Sequence, residues 1–354
     1  MNKYLSALLT IAGLVVVGCN EQARKKEPVI ESVNEPARKK EPVTESVNEP
    51  SVEQPSIDEI IKEVNASGTI TDEQAASLSE VRILNLNGLT SITNEQAESL
   101  IIGDQYGAGL ELNGLTSITD AQAESLGKIW ELWLNGLTSL NDEQAKGLAN
   151  LTETLQLNGL ASLTDVQVEI LSNYRARRVL GLDGLSSITD KQAESLSKVT
   201  AITLNGLTSI TDEQVARLSK DFRLDGVELD GLTSITDAQA ESLSKIESLS
   251  LNGLTSITDK QAESLARVKG YLELNGLTSI NDEQAESLSN NQYVQLTGLT
   301  SITDTQAESL SKVDMLHLKG ISSITDAQAE SLNKVRSLII SQACQPLIDK
   351  YKNQ

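Results

Sequence analysis

Apolar positions recur through most of the chain in one fixed block, and Ile246 to Leu265 shows it. Leu249 and Leu251 alternate with Ser248 and Ser250, the period of two that marks a short strand with one buried face. Asn252-Gly253 then turns the chain, and Leu254 and Ile257 point back to the same side. Thr258-Asp259-Lys260-Gln261 is a capping box, with threonine as N-cap, aspartate favourable to the helix dipole and glutamine at the third helical position. The helix that follows carries Ala262 and Leu265 on its inner face. Eleven such blocks are centred on Gly88, Gly114, Gly136, Gly159, Gly184, Gly206, Gly231, Gly253, Gly276, Gly298 and Gly320, at spacings of 22 to 26 residues.

Seven buried apolar side chains stabilise one block by roughly 10 to 20 kcal/mol, no more than the ordering cost of about 22 residues. A block cannot fold alone, and stacked blocks can. Twelve residues separate glycine from helix leucine in every block, so all length variation falls between helix and next strand. Extra residues occur there at 101 to 109, 172 to 179 and 219 to 226, carrying Tyr106, Tyr174 with Arg175, Arg177 and Arg178, and Phe222 with Arg223. Ser56-Ile57-Asp58-Glu59 is a capping box opening an amino-terminal cap helix with Ile60, Ile61 and Val64 on one side. Twelve strands are expected, the last at Leu338 to Ile340.

This pattern resembles the leucine-rich repeat over roughly residues 56 to 342, and Ile246, Leu249, Leu251, Leu254, Ile257, Thr258 and Asp259 are most similar to its cysteine-containing subtype. The resemblance implies an α/β fold, a right-handed solenoid with a parallel sheet on the concave face and helices on the convex face. Leu254 and its counterparts stand where that subtype has cysteine and the commonest subtype asparagine. A buried asparagine ladder is therefore not expected.

The amino terminus, by contrast, reads as a targeting segment. Met1, Asn2 and Lys3 precede an apolar run from Leu5 to Val17, too short for a spanning helix of roughly 20 residues. Val16-Val17-Gly18-Cys19 resembles the lipobox of bacterial lipoproteins, which implies acylation of Cys19, removal of residues 1–18 and anchoring by several acyl chains. Asn20, rather than a retention aspartate, favours an outer-membrane destination where the source has one. Residues 23 to 36 are then repeated at 37 to 50 with one change, Ile30 to Thr44. Their charges, prolines and few large apolar residues describe a disordered tether, so that 19–55 is read as anchor and linker and 56–354 as the repeat domain with its caps. The other cysteine, Cys344, is read as a small apolar residue of the carboxy-terminal cap.

Composition narrows the function. Aromatics are only 3% of residues, so the core is aliphatic, and a net charge of −21 without a Lys/Arg cluster interleaved with aromatics repels nucleic acid. His317 is the sole histidine and no metal-binding spacing accompanies it, so neither a metal nor another cofactor is expected. Glu124, Glu194, Glu241, Glu308 and Glu330 each precede a lysine by four residues, the spacing of helix-surface ion pairs rather than of catalytic carboxylates. Thr255-Ser256 and its counterparts lie at a bend and are expected to hydrogen-bond internally. The chain is not expected to be an enzyme.

Variation among the blocks points instead to binding. Outward helix positions are nearly constant, glutamine at the third position and glutamate at sites including Glu98, Glu124 and Glu263, whereas outward strand positions vary freely. On that strand surface Trp133, Tyr271 and Tyr293 are the candidate anchors. Glu111, Glu131, Glu228 and Glu273 give it negative potential suited to a basic or amine-bearing partner. The expectation is a monomeric, membrane-anchored binding protein for a protein, peptide or glycan ligand on its concave face; the alternative is a structural envelope spacer with no specific ligand.

Overall fold

In a computed structural model the chain divides into two units, Met1–Pro55 and Ser56–Gln354, and the strands and helices named below lie in the second. The described residues are 55–352 except 102–106, 152, 174–178 and 222–223. Twelve short strands form a single sheet in strict chain order: β1 (Ile83–Asn85), β2 (Gly109–Glu111), β3 (Glu131–Trp133), β4 (Thr154–Gln156), β5 (Val179–Gly181), β6 (Ala201–Thr203), β7 (Gly226–Glu228), β8 (Ser248–Ser250), β9 (Tyr271–Glu273), β10 (Tyr293–Gln295), β11 (Met315–Leu318) and β12 (Ser337–Ile340). Every pairing is parallel and in phase, with the middle residues of neighbouring strands, such as Ile202 and Val227, as register partners. A short helix separates each strand from the next, and Asp259–Leu265 is typical.

All seven apolar positions of the Ile246–Leu265 block are buried, and with their counterparts they form one continuous core. The cap helix Ile57–Ser67 begins on the expected capping box, with Ile60 and Val64 buried. At the other end Cys344 is buried with Ile348 beneath the carboxy-terminal helix Gln345–Lys352.

Hydrogen-bond ladders tie the units together, and four of the expectations above are corrected. An asparagine ladder does form, carried not at the Leu254 position but two residues earlier, by the asparagine of each Asn-Gly pair. Asn113 donates its backbone N–H to Oδ1 of Asn87, Asn135 to Asn113, Asn158 to Asn135, and the chain of contacts continues to Thr297 on Asn275, all at 2.9–3.0 Å. Position matters here because equivalent atoms of successive turns lie one strand spacing apart, within reach of a two-bond side chain. Asp183 and Asp230 keep the ladder intact because a carboxylate oxygen accepts the same N–H.

The recurrent glutamine, expected to point outward, is instead half-buried to buried. Gln261 accepts the N–H of Thr258 through Oε1 at 2.9 Å and donates through Nε2 to the Ile235 carbonyl of the previous unit at 2.8 Å. One amide thus completes the capping box and satisfies a core-edge carbonyl, which is why no other residue replaces it. Its constancy is a packing requirement, and the contrast between constant and variable surfaces rests on the glutamates alone.

The lysines expected to pair with glutamates four residues earlier do not. The helices stop at the leucine, as Asp120–Leu126 does, so Lys128 already lies off the helix. The ion pairs that form among the described residues include links between units, Lys191 to Glu169 at 3.4 Å and Lys260 to Asp237 at 3.3 Å. Thr255 and Ser256 are likewise exposed rather than turned inward.

Glycine follows each ladder residue because of how closely the turns stack, not because of a left-handed turn. Positive φ occurs among the described glycines only at Gly68 and Gly107. A Cβ added at Gly206 would overlap the carbonyl oxygen of Asp183 and stand 2.7 Å from that of Leu185, both backbone atoms of the preceding unit.

Candidate functional site

In each strand the middle residue faces the core, and the first and third residues face the open side of the sheet. Those two outward rows carry every residue proposed above as a ligand contact. Bulk along the rows is uneven. Trp133 and Glu131 on β3 stand at one end, with the indole lying over Gly109 of β2: a Cβ there would be 3.2 Å from the ring. Tyr271 on β9 and Tyr293 on β10 stand at the other, stacked with ring centroids 4.8 Å apart and 29° between planes. The aromatic trio is thus one pair and one distant ring, six strand steps or roughly 29 Å apart.

Between these ends the outward residues are mostly small: Thr154, Val179 with Gly181, Ala201 with Thr203, Gly226, and Ser248 with Ser250. They form a floor bracketed by aromatic side chains. Two polar groups on that floor have no hydrogen-bond partner. Gln156, 3% exposed, lies across Gly181 so that a Cβ there would overlap its Oε1. That oxygen accepts from Asn158 Nδ2 at 3.2 Å, which leaves Nε2 buried and unpaired. Thr203, 1% exposed, has an unpaired buried hydroxyl. Buried donors without partners cost about 1 to 3 kcal/mol each and are uncommon in folded proteins. Neither residue was singled out in the sequence, where each is one more polar strand residue; the available signal was the run of small outward residues from β5 to β8.

The four glutamates also separate. Glu111 is tied down at the end of the ladder, its Oε2 accepting from Asn85 at 2.9 Å and Asn87 at 2.7 Å. Burial and, secondarily, Glu153 raise the Glu131 carboxyl above the usual range. Glu228 is the register partner of Thr203, and its carboxylate accepts from Asn205 Nδ2 at 3.3 Å. Burial pushes its carboxyl up to about 7, against the lowering by Asn205 and with help from the charges of Asp230, Asp183 and Glu273. Glu273, two strands on, accepts from Asn252 at 3.3 Å and Gln295 at 3.0 Å and is also raised by burial. His317 follows Gln295 in the same row and is held below its ordinary pKa by burial and by Lys319. Among the described residues no three His, Cys, Asp or Glu side chains are grouped as a metal ion requires.

Cys19, Tyr106, Tyr174, Arg175, Arg177, Arg178, Phe222 and Arg223 lie outside the described residues. No protein-family model matches the chain, and no curated protein sequence matches it. Among solved structures, the leucine-rich repeat-containing protein LegL7 from Legionella pneumophila is similar at 15% identity over 75% of this chain and 97% of that one, with a TM-score of 0.51. An internalin, InlF, from Listeria monocytogenes is similar at 16% identity over 80% of this chain and 87% of that one, with a TM-score of 0.44. Strand order, parallel register and the likeness to LegL7 establish the fold as a leucine-rich-repeat solenoid, with the parallel sheet on its concave face and the helices on its convex face.

Proposed function

We propose that this leucine-rich-repeat solenoid is a membrane-anchored, non-enzymatic binding protein whose concave face takes a protein or peptide ligand. One observation carries the reading: a floor of small residues, bracketed by Trp133 and the Tyr271–Tyr293 stack, holds two buried polar groups that the fold leaves unsatisfied. A polypeptide supplies the carbonyls and N–H groups those positions lack, and its apolar side chains suit the aromatic ends. The variable strand residues and constant helix-surface glutamates agree with a diversified concave face. Closeness to the cysteine-containing repeat subtype belongs to this proposal and rests on the Thr258-Asp259 signature, not on the fold alone.

The anchor rests on sequence. Leu5 to Val17 and the Val-Val-Gly-Cys ending at Cys19 support a lipoprotein signal peptide, residues 23–50 a tether, and Asn20 an outer-membrane site where the source has one. A monomer agrees with a strongly acidic chain that repels its own copies. Cys19→Ala is expected to abolish labelling with radioactive palmitate; undiminished labelling would remove the anchor from the proposal.

Capture tests the binding reading. Crosslinking on intact cells, followed by mass spectrometry, is expected to recover a recurring polypeptide partner with the wild-type protein, and at least tenfold less of it when Trp133, Tyr271 and Tyr293 are all alanine. Equal recovery by both would favour the envelope spacer.

A further inference from the structure

We propose that Glu228, beside Thr203 on the concave face, pairs with a lysine or arginine side chain of the partner, while the Gln156 amide binds a carbonyl of the partner's main chain. This rests on the binding role proposed above and specifies its chemistry.

Two observations converge on it. The first is charge: Glu228 feels Asp183, Asp230 and Glu273 and has no basic side chain within ion-pair distance among the described residues. Among the described residues this half-buried carboxylate has like charges and no counter-charge around it, and an arriving cation supplies one. The second is the pair of unsatisfied groups. Thr203, beside Glu228 in register, offers a hydroxyl that accepts from an ammonium or guanidinium N–H. Gln156 Nε2 is donor only, so a metal ion does not satisfy it and a main-chain carbonyl does. An anionic partner would meet the acidic group, and an apolar one would bury all three polar groups unpaired.

A displayed library of random twelve-residue peptides, panned on the full-length protein in detergent at pH 8, tests the assignment. Selected peptides are then measured on wild type, on Glu228→Gln and on the triple aromatic variant. The expected result is a fixed lysine or arginine, at least tenfold weaker binding to Glu228→Gln, and disappearance of that ratio when the basic residue is replaced by glutamine. Circular dichroism establishes that each variant is folded. Peptides that need the aromatic residues but bind Glu228→Gln as well as wild type would overturn the pairing with Glu228 and leave the binding face standing. A library yielding no peptide sensitive to either variant would overturn both.

Discussion

Glu228→Gln is expected to stabilise the folded protein by about 2 kcal/mol at pH 8 and to leave its stability unchanged near pH 4. Burial on the concave face, with Asp230, Asp183 and Glu273 nearby, holds this carboxyl at about 7 in the folded chain. In the unfolded chain it ionises in the ordinary glutamate range. Between the two values the folded state binds the extra proton, so the contribution of Glu228 to stability is fully present below the unfolded pKa and is lost as pH rises through about 7. The gap corresponds to roughly 3 kcal/mol, which partial access of water to the carboxylate reduces to about 2. Glutamine keeps the shape and still accepts the Asn205 hydrogen bond. Urea denaturation of both proteins at pH 4 and pH 8 measures the difference. A gain that is the same at both values, or a loss at pH 8, would show that Glu228 is not held neutral by its surroundings. The expected pairing of higher stability with weaker peptide binding is that of a residue kept for function at the expense of the fold.

The second large effect is structural. Gly206→Ala is expected to cost at least about 3 kcal/mol and to uncouple the two halves of the solenoid. Its Cβ would overlap a backbone carbonyl of the preceding unit and crowd a second. Neither can yield as a flexible side chain would, so the two turns must separate. That would break the contact of Asn205 N–H with Asp183 Oδ1, now 2.9 Å, and expose apolar surface between the units. Both tryptophans, Trp130 and Trp133, precede the break. Fluorescence therefore reports unfolding of the amino-terminal half, while circular dichroism reports the whole. Coincident transitions are expected for the wild type and separated ones for the variant. Wild-type behaviour from Gly206→Ala would mean that the turns stack less closely than described.

Much of this fold was legible because its instructions are local. The capping box of Thr258 to Gln261, the two-residue alternation of Leu249 and Leu251 and the fixed distance from glycine to leucine each act within one unit. All were read correctly, as was the cap opened by Ser56. The ion pairs failed for a physical reason the pattern does not display: the helices end before the lysines. The asparagine ladder failed because family resemblance directed attention to the leucine position, although a side-chain oxygen two residues earlier reaches the next unit equally well.

For the site, the sequence by itself determined which residues line the open face, since strand parity assigns Trp133, Tyr271, Tyr293 and the four glutamates to it without further information. Only the tertiary structure decided how they are grouped. It separated Trp133 from the tyrosines, tied Glu111 to the ladder, left Gln156 and Thr203 without partners and set Glu228 beside an unpaired hydroxyl. The reason is distance. Periodicity fixes the direction of a side chain within its own unit, but solvation, charge and hydrogen bonding depend on neighbours about 4.8 Å away on other strands, and these come from residues twenty or more positions distant.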